Sequence, residues 1–236
     1  MSLIKINYHQ YVGDDYQSPF DVDGIGFEPE LVVNNTPRSA VYYDCPAWKH
    51  KASRTFLIRS PVDIDFVVDT ETNNISSPNL NQRQFDIFLG PTFNVNWCTP
   101  EKTTVQLTVP RFLFWTNEKN VWIEEKPHCK SAIKNNIIGV GAWFNLSSWT
   151  RPLSCAFDIV DTNKPVSIKR GDPLLEVSFY SKNLDAGVLL KKSSPPEKVL
   201  QRSYRNTMLK NYAEGLSKYF MFKDQKSKCP FHNLWK

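Results

Sequence analysis

Histidine, glycine and methionine are scarce in this chain, and their scarcity removes most familiar catalytic layouts. Only His9, His50, His128 and His232 occur among 236 residues. None is followed two positions later by Asp or Glu, so the facial triad of a non-haem iron oxygenase is excluded. Neither His-Glu-x-x-His nor Gly-x-Ser-x-Gly is present, and Gly-Lys-Ser/Thr, the end of a phosphate-binding loop, never appears. Gly139-Val140-Gly141-Ala142 lacks the third glycine of a dinucleotide loop. No run of eighteen apolar residues exists, and Met1-Ser2-Leu3-Ile4-Lys5-Ile6 turns polar before a signal-peptide core can form. A soluble, non-secreted chain without a membrane partner is expected. The five cysteines, at 45, 98, 129, 155 and 229, are odd in number and irregular in spacing, which reads as reduced thiols rather than a disulfide frame.

What is plentiful is β-branched and aromatic sequence. Short runs recur between turn residues, as in Leu3 to Tyr8, Thr55 to Ile58, Asp63 to Val68, Phe85 to Leu89 and Thr92 to Trp97. Alternation in the last three puts Asp63 and Asp65 on one face and Ile64 and Phe66 on the other. Further strands are predicted at Thr103 to Val109, Phe112 to Trp115, Val121 to Glu124, Ile137 to Phe144, Ser154 to Val160, Val166 to Lys169 and Leu174 to Tyr180. With no helical period between them, the expected fold is mainly β. It is read as an antiparallel sandwich or jelly roll, or a β-clip-like barrel, with one C-terminal helix.

Charge divides the chain into a β-rich body, residues 1–190, and a basic C-terminal helix and tail, residues 191–236. The tail holds eleven Lys and Arg against Glu197, Glu214 and Asp224, while the body holds eighteen basic against twenty-one acidic groups. After Ser193-Ser194-Pro195-Pro196, Val199, Leu200, Tyr204, Met208, Tyr212, Leu216, Tyr219 and Phe220 recur at three- and four-residue steps. This predicts an amphipathic helix whose polar face carries Arg202, Arg205, Lys210 and Lys218 as anion or partner contacts. Beyond it, Phe231, Leu234 and Trp235 are large apolar side chains expected to dock on the body or a partner. The helix either packs on the sheets, offers its cations to an acidic protein, or binds nucleic acid through them.

Candidate chemistry is thin. Cys229 and His232, with His128-Cys129 as a second pair, form the best metal arrangement, but adjacent His and Cys do not point easily at one ion, and no metal or other cofactor is expected. Cys45-Pro46 and Cys229-Pro230 match a haem-thiolate dipeptide that arises readily by chance. Asp63 and Asp65, with Arg59 and Asp69 at the same parity, make a mixed charged patch whose plain reading is a solvated face. Lys49, Lys51 and Arg54 around Trp48 either bind an anion or keep a loop in water.

The most specific local feature is Pro165-Val166-Ser167-Ile168-Lys169-Arg170-Gly171-Asp172-Pro173-Leu174-Leu175-Glu176-Val177-Ser178-Phe179, a strand, a basic-Gly-Asp turn needing glycine at positive φ, and another strand. It resembles the hairpin of the β-clip folds, the deoxyuridine triphosphatases and deoxycytidine triphosphate deaminases, over residues 139–179. That resemblance implies a nucleotide-processing enzyme in which Asp63, Asp65 or Asp172 helps hold a metal-bound triphosphate. The chain lacks those enzymes' Gly-Tyr-Asp-like strand and glycine-rich C-terminal arm. Phrases such as Asp44-Cys45-Pro46-Ala47-Trp48, Arg59-Ser60-Pro61-Val62-Asp63 and Cys229-Pro230-Phe231 resemble proteins of marine T4-like tailed bacteriophages. This implies a life in the host cytoplasm or the virion, with viral or host proteins, or further copies of the chain, as partners. No nucleophile, base and oxyanion donor assemble, while seven Trp, nine Tyr and fifteen Phe suit interfaces. The expected role is therefore a non-enzymatic viral structural or accessory protein acting through assembly contacts, with nucleotide processing and nucleic-acid binding by the basic tail as alternatives.

Overall fold

A computed structural model describes residues 3–10, 26–69, 71–72, 74–82, 84–85, 103–107, 111–153 and 155–212, without the side chains of 208–212. Fourteen named strands and four named helices follow in order. They are β1 (Leu3–Gln10), β2 (Glu30–Leu31), α1 (Val32–Asn35), α2 (Pro46–Ala52), β3 (Thr55–Arg59), β4 (Ile64–Asp69), β5 (Asn74–Ser76), β6 (Thr104–Leu107), β7 (Phe112–Trp115) and β8 (Trp122–Pro127). Then come α3 (Cys129–Asn135), β9 (Ile137–Gly139), β10 (Ala142–Asn145), β11 (Cys155–Ile159), β12 (Val166–Ile168), β13 (Pro173–Tyr180), β14 (Gly187–Lys192) and α4 (Glu197–Tyr212).

The chain is mainly β with a C-terminal helix, and the strands form four sheets, ordered β14-β1-β7, β10-β8-β13-β3-β2, β6-β11-β9 and β12-β4-β5. Among the described residues these sheets do not close into a barrel. All four feed one core, in which Ile4, Phe66, Phe114, Phe157 and Phe179 are each at most 1% exposed. Aromatic rings pack on one another within it, Phe114 meeting Phe179 edge-on at 5.3 Å and Phe112 stacking on Phe114 at 5.7 Å.

Several expectations need correction. Pairing is not wholly antiparallel, because β1 runs parallel to β14, from Leu3 opposite Gly187 to Tyr8 opposite Lys192. Lys191 and Lys192 of the basic segment thus lie on a strand. The predicted strand at 137–144 is two strands in different sheets, parted at Val140 and Gly141. Phe85 has helical backbone, since Asn81 and Gln84 each accept the other's backbone N–H, a reciprocal cap that starts a helical turn. The rest of that run and 92–97 lie outside the described residues. The body also holds α1, α2 and α3, which at four to seven residues are too short to show a period. Pro46 opens α2, and Asn136 at φ 60 closes α3.

Helix α4 starts at Glu197, directly after the two prolines. Strand β7 is buried on both faces: Phe112 and Phe114 enter the main core, while Leu113 and Trp115 meet Val199 on the other side. The buried stripe of the helix is Val199, Ser203 and Asn206, and Tyr204, expected on the apolar stripe, is 64% exposed. Polar bonds decide this rotation. Asn206, fully buried, donates to the Thr150 carbonyl at 2.9 Å, and Arg202 donates to the Ser147 carbonyl at 3.3 Å. No helix among the described residues is long and apolar enough to cross a membrane.

Candidate functional site

The structure gathers the three candidate carboxylates at one corner. Strands β12 and β13 do not pair with each other as a hairpin would; β12 pairs with β4, and β13 with β3 and β8. The turn at 169–172 therefore carries the chain between sheets, and the β3–β4 connection makes the same passage beside it. The two turns are stitched together, Ser60 N–H donating to the Asp172 carbonyl at 2.9 Å and Gly171 N–H to the Ser60 carbonyl at 2.8 Å. Gly171 has φ +87, where a side chain is strained.

Each carboxylate is spent on this corner. Asp63 accepts the Arg170 N–H at 2.7 Å. Asp65 accepts the Lys169 ammonium at 2.8 Å and the Ser167 hydroxyl at 2.5 Å. Asp172, 7% exposed, accepts Lys134 at 2.6 Å and the Lys169 N–H at 2.9 Å. Burial alone would raise the Asp65 and Asp172 carboxyls, but these bonds hold both below their ordinary value of 3.8. Asp69 serves its own turn, accepting from Glu71 and Thr72. Among the described residues no three His, Cys, Asp or Glu side chains converge as a metal ion would need. The corner is a brace whose carboxylates already have donors, cations at Asp65 and Asp172 and a backbone N–H at Asp63.

The other candidates separate. Arg54 is 3% exposed and donates to the carbonyls of Leu184 and Ala186, so it clamps the β13–β14 connection rather than offering a loop cation. Lys49 pairs with Asp44 at 2.8 Å. Arg202 is tied to the body, while Arg205 is exposed and donates to the Asn206 side chain at 3.3 Å. Lys210 and Lys218 give no described side chain, and Cys229, Phe231, His232, Leu234 and Trp235 lie outside the described residues. Cys45 and Cys129 are exposed free thiols. Cys155 is buried, and burial together with Glu125 raises its thiol well above the ordinary 9.0, which makes it a poor nucleophile.

Two features escaped sequence reasoning. Glu125, 5% exposed, shares the inner face of β8 with Ile123; burial lowers the nearby Arg151 guanidinium, and Glu125 opposes that shift. Alternation in Trp122-Ile123-Glu124-Glu125 does not reveal which parity faces inward. The second is an apolar outer surface on the sheet β6-β11-β9. Ile138 lies opposite Asp158, Val140 N–H bonds to the Ala156 carbonyl, and Val160 follows β11. Exposures are 40% for Ile138, 45% for Val140 and 57% for Val160, with Ile133 on neighbouring α3 at 88%. Sequence reasoning predicted a strand here without saying which face is covered, and only the sheet shows that Ile137 is buried and Ile138 faces out.

No family model matches the chain, and no curated protein does. Solved structures similar to it include native EIAV dUTPase, at TM-score 0.32 and 9% identity, covering 61% of this chain and 82% of that one. A mutant dUTPase from phage phi11 of S. aureus is similar at TM-score 0.32 and 8% identity, covering 72% of this chain and 97% of that one.

Proposed function

We propose that this chain is a non-enzymatic structural or accessory protein of a tailed phage, acting through protein–protein assembly contacts. The observation that supports the reading is the outer surface of β9 and β11. Ile138, Val140 and Val160 share that outer face as exposed aliphatic groups, and soluble proteins keep such groupings for partners. The carboxylates that a nucleotide-processing enzyme would need are bound up in the corner instead.

Light scattering on the eluting full chain, with mass spectrometry of purified virions, tests this. Assembly is expected to weaken in Ile138→Lys combined with Val160→Lys, two changes at exposed positions that leave the core alone. A wild-type chain that is monomeric and missing from virions overturns the reading. A deoxynucleotide panel with magnesium is expected to leave the melting temperature unmoved. Saturating ligand at one hundred times its Kd would add about 2.7 kcal/mol, and such a shift would replace assembly by nucleotide processing.

A further inference from the structure

One end of the sheet β10-β8-β13-β3-β2 keeps a second, half-open face. On β8 the outward residues are Trp122, Glu124 and Lys126, alternating with buried Ile123 and Glu125. Trp143 stands opposite Glu124, and Asn145 opposite Trp122. On the other side Ser178 stands opposite Glu124, and Tyr180 opposite Trp122. Residues opposite one another in a ladder share a face, so Trp143, Trp122 and Tyr180 stand together on this one. The two indole centroids are 4.7 Å apart with a 36° tilt, and Trp143 is 58% exposed.

The polar groups among these rings are held by a relay. Tyr180 donates to Glu124 Oε2 at 2.7 Å, and Lys126 Nζ lies 3.6 Å from the same oxygen. Lys126 also donates to Ser178 Oγ at 2.6 Å, and Ser178 meets Thr55 Oγ1 at 2.7 Å. Thr55 gives its single hydroxyl proton to the Lys51 carbonyl at the end of α2, so Ser178 is the donor in that pair. Beside Trp122 opens a cleft of about 190 Å³ lined by Asn120, Trp122, Asn145, Ser181 and Lys182. Asn145 is fixed there by accepting the Ser147 N–H at 2.9 Å. Drug-sized sites begin at roughly 300 Å³, so this cleft takes one small ring or a substituent of one.

We propose that this face binds a neutral oligosaccharide, one sugar ring lying on the outer plane of the Trp143 indole, which Trp122 backs from beneath, and its neighbour's hydroxyls reaching the cleft. An indole offers a flat apolar plane that the C–H face of a sugar ring covers well. Hydroxyls both donate and accept, and at the cleft the Asn120 amide does both while the Lys182 ammonium donates. Charge separates this ligand from nucleic acid. The charged groups here are Glu124 and Glu176 against Lys51, Lys126 and Lys182, a near balance in which Lys126 already serves Glu124 and Ser178. A phosphate backbone would meet the Glu124 carboxylate beside the indoles and find no cluster of cations along its length.

The full chain is titrated with maltohexaose, cellohexaose and chitohexaose, read by tryptophan fluorescence and calorimetry, and screened on a glycan array. At least one neutral glycan is expected to bind with little dependence on salt. Trp143→Ala should weaken that binding about tenfold without changing the melting temperature, since the ring is mostly exposed. Glu124→Gln, which keeps the shape, should weaken it less. Absence of binding to any of these glycans overturns the proposal, as does binding that Trp143→Ala leaves intact. A preference for a single-stranded oligonucleotide or a proline-rich peptide at the same indoles also overturns it. Each of these failures leaves the assembly reading standing, because that reading rests on the outer surface of a different sheet.

Discussion

The carboxylate corner and the tryptophan face differ in what they leave open to water, for both have their polar groups bonded but only the second shows a bare ring. At the corner, Asp63, Asp65 and Asp172 are all paired with cations or backbone N–H groups of one turn, and Gly171 supplies the conformation that brings them there. At the tryptophan face, Trp143 is exposed, and the relay runs from buried Thr55 and Ser178 out to half-buried Glu124 and Lys126. Charged residues close together in sequence therefore mark a brace here, and aromatic residues far apart in sequence mark the open surface. A group whose bonds are satisfied inside the molecule stabilises it, and a group left facing water is free for a ligand.

Mutations sharpen this contrast. The largest effect is expected for Asp172→Ala, which leaves the Lys169 N–H and the Lys134 ammonium without their acceptor. A loss of about 2 kcal/mol and a fall in melting temperature of roughly 4–8 °C should follow. An unchanged melt would mean that the corner is not a brace. Gly171→Ala should cost about 1–2 kcal/mol, because a side chain at φ +87 meets the following carbonyl; chemical denaturation would show it, and a neutral result would mean that the turn readjusts.

Acid gives a third, smaller effect. Asp65 and Asp172 have depressed pKa values when folded, so their stabilisation is complete above the ordinary value of 3.8 and is lost as pH falls through their folded values. Urea midpoints measured downward from pH 5 should therefore drop below about pH 4, and Asp172→Asn should flatten that drop. If the variant and the wild type fall in parallel, Asp172 is not among the groups responsible. The smallest effect belongs to Trp143→Ala, expected within about 0.5 kcal/mol of wild type because the ring is mostly solvated. A large loss there would show that the indole is structural and that the two regions are not so different.

Much of the fold was legible because it is local. Runs of β-branched and aromatic residues between turns marked β3, β4, β7, β11 and β13, and the prolines at 195 and 196 marked the start of α4. The glycine of the 169–172 turn was legible for the same reason, since a positive φ follows from its immediate neighbours. The candidate site was less so. Asp63 and Asp65 were seen as one face, yet their partners, the Arg170 backbone N–H and the Lys169 ammonium, come from more than one hundred residues away. Tyr204 follows the helical period but faces water, because Asn206 found the Thr150 carbonyl and turned the helix.

What the sequence by itself determined is where most strands run, where the helix begins, how charge is divided, and which catalytic layouts are missing. Alternation, turn chemistry and composition depend on residues next to one another in the chain, and these need no knowledge of the rest. Only the tertiary structure decided that β1 lies parallel to β14, that the two strands around Gly171 leave for different sheets, and that Trp122, Trp143 and Tyr180 meet on one surface. Those outcomes depend on which strands pair and in what register, and one step of register exchanges every buried side chain for an exposed one.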